Sequence, residues 1–250
     1  MRFPTIPVVI REILAEFCGL TILLFLGFSS FLLFDIYPHN AYLVHNMCAN
    51  TSGICNTVSY GSGLLTAILI AGHVSGGHFN PGVSVALATL NKFPYKKLLY
   101  YIPTQYLSAF CASAAVHLFH LNHISDDLTI RNQLLDSLFV LAPNHQINLF
   151  VTVWDSFLSC FIFMVIILAI TDHKSTGIPP PLAPLFLVIA FIGIIMAFVV
   201  NCGAALNPAR DLGPKLYAVI YLGFERVFKH HNFVFWLTQQ LALFAGFIAG

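Results

Sequence analysis

The chain of 250 residues is 58% hydrophobic and only 8% charged, with a mean hydropathy of +0.83. Soluble domains carry about 25% charged residues, so a surface wetted by water on every side is excluded and the class is membrane protein. The formal net charge of +1, without a basic run or a phosphate-cradling glycine motif, gives no reason to expect nucleic acid as a partner.

A membrane span needs about 20 apolar residues to cross a hydrocarbon core about 30 Å thick. The first candidate covers 8–34, too long for a signal-peptide core and without a small-residue cleavage site, so it reads as a true span. A polar connection at 35–55 holds Cys48, Cys55 and the sequon Asn50-Thr51-Ser52. The second span is 56–74. It is followed by His78 to Asn91 (HFNPGVSVALATLN), apolar enough to be buried but too short to cross. The third span, 95–119, leads into a polar connection at 120–149. The fourth and fifth spans are 150–171 and 182–202, joined by polar residues 172–181. A second short segment, Leu206 to Val219 (LNPARDLGPKLYAV), precedes a polar stretch at 220–232. The sixth span starts near Phe233 and reads as short, as if the chain were truncated within it or just after it.

The two short segments share a design. Each opens with Asn-Pro, at Asn80 and at Asn207. Asn is a favoured N-cap, and Pro suits the first turn because its missing N–H would have been unpaired there. An eleven-residue helix is about 16 Å long, half the hydrocarbon thickness. Both segments are therefore expected to be half-helices that begin inside the membrane. They occupy matching places, after two spans and before a third, and each half has an acid in its opening span, Glu16 and Asp155. The expected architecture is all-α: six transmembrane helices plus two re-entrant half-helices. They form inverted repeats, about 8–119 and 150–250, in a single domain.

Orientation follows from the basic residues. With the N-terminus in the cytoplasm, Arg2, Arg11, Lys92, Lys96, Lys97 and Lys174 lie inside, against Arg131, Arg226 and Lys229 outside. The plasma membrane is the expected site. Connection 35–55 then faces an oxidising compartment, where Asn50 is a glycosylation candidate and Cys48 and Cys55 a disulfide candidate. Cys18, Cys111, Cys160 and Cys202 lie in or beside spans and read as packing residues. No zinc-like spacing links cysteines and histidines, and no metal or cofactor is expected.

Each helix N-terminus carries roughly half a positive charge. Two such ends meeting at the membrane centre repel a cation but admit a neutral molecule, to which Asn80 and Asn207 can offer amide hydrogens. Non-helical backbone survives at this depth only inside protein or beside a water-filled cavity. Arg210, one turn after Asn207, suits a constriction that replaces the water stripped from a solute. Asp211 and Lys215 stand four residues apart on the same half-helix and can pair, bracing the outer mouth. His73 and His78 flank the first half-helix near an inner vestibule, where a response to mild acid is expected.

His-Phe-Asn-Pro at 78–81 and Asn-Pro-Ala-Arg at 207–210, in repeats of this size, resemble the aquaporin or major intrinsic protein family over essentially the whole chain. Asp211 after the Arg, Asn201-Cys202-Gly203 ahead of the second motif and Val74-Ser75-Gly76 ahead of the first resemble its aquaglyceroporin branch. The resemblance implies a homotetramer in the lipid bilayer with one pore per subunit, passing water, glycerol and similar neutral solutes. It implies constriction residues at Tyr60, Ile195, Ala204 and Arg210. It also implies that Glu16 and Asp155 hold the re-entrant loops through backbone hydrogen bonds. Water-selective members usually place His, and aquaglyceroporins Gly, where this chain has Ile195. Ala204 stands where larger side chains are usual, and Gly82 replaces the usual Ala of the first motif, a change expected to be mild. The prolines common in span six are missing, with Thr238, Gln239, Gln240 and Ala242 in that region.

Three functions remain open at this point. One is a passive water and polyol channel, with a water-selective channel as its near alternative. Another is an alternating-access transporter, for which paired ionisable groups beyond Arg210 and Asp211 are lacking. The last is a structural membrane protein of low conductance. No nucleophile–base pair suggests an enzyme.

Overall fold

The computed structural model describes residues 6–32, 52–121, 127–143, 147–231 and 233–250. In chain order the main helices are α1 (Val8–Phe31), α2 (Ser52–Ala67), α3 (Pro81–Thr89), α4 (Tyr95–Phe119), α5 (Leu128–Phe139), α6 (Leu149–Thr171), α7 (Ala183–Cys202), α8 (Pro208–Leu222) and α9 (Phe235–Ala249). Among the described residues there is no strand. Helix α2 continues through a π-helical turn, Ile68–Gly72, into the short helix His73–Ser75.

Three segments, Gly53–Ser75, Leu149–Thr171 and Pro180–Cys202, are long and apolar enough to cross a membrane on composition alone. Helices α1 and α4, of 24 and 25 residues, reach about 36 Å at 1.5 Å per residue but carry more polar groups. Those groups turn inward: Glu16, Gln105, Ser108 and Ser113 are fully buried. The outward positions are apolar, with Leu14, Leu99, Leu107, Ile189, Val200 and Leu241 all exposed. Such a rim in water would cost about 25 cal/mol for each Å²; in lipid it costs nothing.

Small residues let the helices approach closely, as membrane packing requires. Gly63 lies against the backbone of Leu23, Gly213 against Ala109 and the Tyr106 carbonyl, and Gly246 against the Phe157 carbonyl. Helix α3 packs on α9 and helix α8 packs on α4, so each half-helix rests on the last long helix of the other half.

The Asn-Pro segments form half-helices as expected, and both Asn residues cap them in extended conformation. The loops leading into them match residue for residue. Left-handed backbone occurs at Gly76, Gly77 and Phe79 before Asn80, and at Gly203, Ala204 and Leu206 before Asn207. Bulky residues avoid this region. Here Phe79 and Leu206 are locked in it by burial, at 1% and 2% exposure.

One expectation needs correction. The 120–149 connection is not simply polar, because α5 lies within it. Asp127 caps that helix, accepting from the amides of Thr129 and Ile130, and Leu134, Leu135, Leu138 and Phe139 are buried.

Candidate functional site

The N-terminal ends of α3 and α8 meet through their capping residues. Asn80 Oδ1 accepts from Gly82 N at 2.9 Å, and Asn80 Nδ2 donates to Leu206 O at 2.8 Å. Asn207 Oδ1 accepts from Ala209 N at 2.9 Å, and Asn207 Nδ2 donates to Phe79 O at 2.7 Å. An amide NH₂ has two hydrogens, so each Asn retains one for a visitor.

Both residues line a cavity of ≈ 1210 Å³. At one end its walls come from Gly53, Asn56, Thr57 and Phe31; at the other they come from Ile170, Thr171, His173 and Pro180. Between these ends Tyr60, Ile195, Ala204 and Arg210, the four residues nominated for a constriction, all face the same space. Arg210 Nη2 reaches Tyr60 OH at 3.4 Å, and its guanidinium lies 5.4 Å from the Phe28 ring and 5.8 Å from the Tyr60 ring. Its Nη1 is buried and has no protein partner among the described residues. A fixed cation thus keeps an unspent donor.

Glu16 holds the first loop. Its Oε1 accepts from Ser75 Oγ at 2.7 Å and His78 N at 3.0 Å. Its Oε2 accepts from Phe79 N at 2.7 Å and Gln105 Nε2 at 2.8 Å. With no exposed surface at all, Glu16 is enclosed by protein on every side. Asp155 acts differently. It accepts from Asn201 Nδ2 at 2.8 Å and Cys202 Sγ at 3.2 Å, and among the described residues no loop backbone amide donates to it. Asp is one methylene shorter than Glu, and the two side chains bridge the gap. Cys202 is therefore more than packing.

Asp211 and Lys215 do pair, at 2.6 Å, but neither lines the cavity. Both are about 1% exposed. Asp211 also accepts from Gln240 Nε2 at 2.7 Å, and Lys215 lies 5.2 Å from the Phe235 ring. This ion pair ties α8 to α9, so its expected place at the pore mouth is corrected to the protein interior.

The vestibule pair also changes. His78 lines the cavity, with Nδ1 3.0 Å from Ser84 Oγ and its ring 4.5 Å from that of Phe93. His73 is exposed and is not part of the wall. Cys48 and Asn50 lie outside the described residues.

Several contributors are not evident from motifs. Gln105 is a polar residue at the centre of a span, which signals a function. Gln239 and Gln240 lie buried on the last helix. Ser156 Oγ donates to Gln239 at 2.8 Å, and Gln240 Nε2 also donates to Pro208 O at 3.3 Å, so the last helix holds α6 and α8 by side chains. Gly82 is needed for space: a methyl there would run into the buried Phe247 ring, so the change from Ala is not mild.

Residues 5–247 match the family described as Major intrinsic protein. Aquaporin-10 of Milnesium tardigradum is 32% identical over 228 residues, covering 89% of this chain and 54% of the relative. Aquaglyceroporin-2 of Rhizophagus irregularis is 31% identical over 252 residues, covering 96% and 75%. Aquaporin-10 of Homo sapiens is 32% identical over 234 residues, covering 91% and 74%. The X-ray structure of the aquaglyceroporin from Plasmodium falciparum superposes with a TM-score of 0.82 at 27% identity, covering 96% of this chain and 93% of that one. The chain thus spans about half the length of the Milnesium relative and three quarters of the other two.

Proposed function

The chain belongs to the major intrinsic protein family, and on that footing we propose that it is a passive channel for water and small neutral polyols, glycerol first among them. One observation carries the reading. A single cavity is lined by the donors Asn80, Asn207 and Arg210 and by the largely apolar walls of Tyr60, Ile195 and Ala204. Glycerol has one polar and one apolar edge, and this two-sided lining matches both. The name aquaglyceroporin borne by a relative and by a structural neighbour supports it.

The path works by exchange of hydrogen bonds. A hydroxyl leaving water meets the Arg210 guanidinium, then the spare amide hydrogens of Asn207 and Asn80. Meanwhile the carbon edge slides along Tyr60 and Ile195. The positive ends of α3 and α8 and the Arg210 charge oppose a cation throughout. A proton relay is broken where the asparagines offer donors only, their oxygens being engaged by backbone amides. In this reading the chain catalyses no reaction.

The chain is integral to the membrane. We further infer two inverted repeats in one channel domain, a homotetramer, and a plasma-membrane site with the N-terminus in the cytoplasm, which the distribution of Lys and Arg supports. Asn50 would then carry a glycan and Cys48 would pair with Cys55 on the outer side.

Ile195 favours a second reading, a channel selective for water, because it brings a branched side chain to the constriction. Osmotic light scattering of proteoliposomes holding the purified chain separates the two. Water and glycerol fluxes both well above empty vesicles are expected; fast water with glycerol at background would leave the water channel standing.

A further inference from the structure

Of the four residues expected at the constriction, Ala204 brings only a methyl. Ala204 is small, and it lines the same cavity as Arg210. A different element also contributes to the cavity wall. Leu138, the last buried leucine of α5, and Leu141, just beyond the helix, both line the cavity. A Cβ placed on Gly203 would stand 2.5 Å from Leu141 Cδ2, so Leu141 presses on the backbone immediately before Ala204.

Helix α5 is docked well enough to hold a side chain in place. The Phe139 ring meets that of Phe28 edge-on at 5.6 Å and that of Tyr217 at 5.5 Å. Phe28 is the ring beneath the Arg210 guanidinium. At the helix's polar face Asp136 reaches Arg226 at 3.4 Å. The helix that leads into Leu141 is thus tied, through Phe139, to the ring that carries the Arg210 guanidinium.

We propose that Leu141 is a specificity-determining residue: it occupies the volume that Ala204 leaves open and sets the largest polyol admitted. The proposal rests on the channel reading above. It assigns size selection to the connection after α4, while the donors remain on α3 and α8.

The test uses the full chain in liposomes, with water, glycerol and the four-carbon polyol erythritol as permeants. Leu141→Ala should raise the erythritol-to-water permeability ratio by at least about tenfold, the lower end of the discrimination that one methylene supplies in an apolar pocket. Adding Ala204→Phe to that variant should return the ratio toward wild type. An unchanged ratio in Leu141→Ala, or an equal rise for all three permeants, overturns the proposal. If Leu141→Ala does not fold, Leu141→Cys is reconstituted and then treated with a bulky methanethiosulfonate, with treated wild type as control. Loss of glycerol flux confined to the variant is expected, and flux equal to that of the control overturns the proposal. Wild-type liposomes without glycerol entry above background would instead sink the channel reading on which it stands.

Discussion

Asn80 and Asn207 hold each other in place: each donates to the carbonyl that precedes the other, at 2.8 Å to Leu206 O and 2.7 Å to Phe79 O. Their side-chain oxygens meanwhile cap their own helices. The arrangement is a reciprocal knot that makes either half-helix depend on both.

Asn207→Asp tests the knot. A carboxylate still accepts from Ala209 N but cannot donate to Phe79 O, which is then buried without its partner. Leaving such a group unsatisfied costs about 1–3 kcal/mol. The new negative charge also cancels part of the helix-end field. Lower thermal stability in detergent and a measurable cation conductance in planar bilayers are expected. Full stability together with intact ion exclusion would show that the cross-tie is incidental.

Glu16→Gln concerns the other support of the same loop. The carboxylate takes four hydrogen bonds, two from the backbone amides of His78 and Phe79. An amide offers one oxygen and turns an NH₂ toward a donor, so at least one charged bond is lost and one donor is opposed. Charged hydrogen bonds contribute about 1.5–3 kcal/mol each, and a loss of about 3 kcal/mol is expected. Thermal unfolding of the purified variant measures it; a melting temperature equal to wild type would refute the bracing role.

How much was legible in sequence follows from the physics of each feature. The long helices and both half-helices announce themselves through apolar length and Asn-Pro caps, which are local signals. Helix α5 escapes a span-scale reading because Arg131, Asn132 and Gln133 precede its Leu134 and Leu135, and Asp136 and Ser137 separate these from Leu138 and Phe139. A helical period and the Asp127 cap were present on a shorter scale. Phe28, Leu141 and Phe247 could not be nominated, since an apolar residue gains a role at the site only when tertiary packing places it there. The burial of Asp211 and Lys215 was hidden for the same reason: their spacing predicts a pair, and only the packing of α9 says where it lies.

Gly82→Ala probes one such packing relationship. The Phe247 ring fills the space a methyl would need, and Phe247 is only 1% exposed. Overpacking of this kind costs about 1–3 kcal/mol. The single variant should be destabilised within that range, and Gly82→Ala with Phe247→Leu should regain most of the loss. Equal stability of single variant and wild type would mean that the ring has room to move.

Arg210→Ala bears on selection itself. The guanidinium is held by Tyr60 OH and by the faces of Phe28 and Tyr60, leaving Nη1 without a protein partner among the described residues. Removing it takes away the fixed charge and a donor of the cavity wall, and leaves Tyr60, Ile195 and Ala204 around a wider opening. Solutes now rejected on size or charge should enter, so the ratio of urea or erythritol flux to water flux should rise and some cation leak should appear. Ile195→His makes the opposite change in the same ring. It adds a donor and narrows the passage, so glycerol flux should fall while water flux persists. The two variants, reconstituted side by side at equal protein content, should therefore move the glycerol-to-water ratio in opposite directions. A shift of both ratios in the same direction would place the selecting step elsewhere along the cavity.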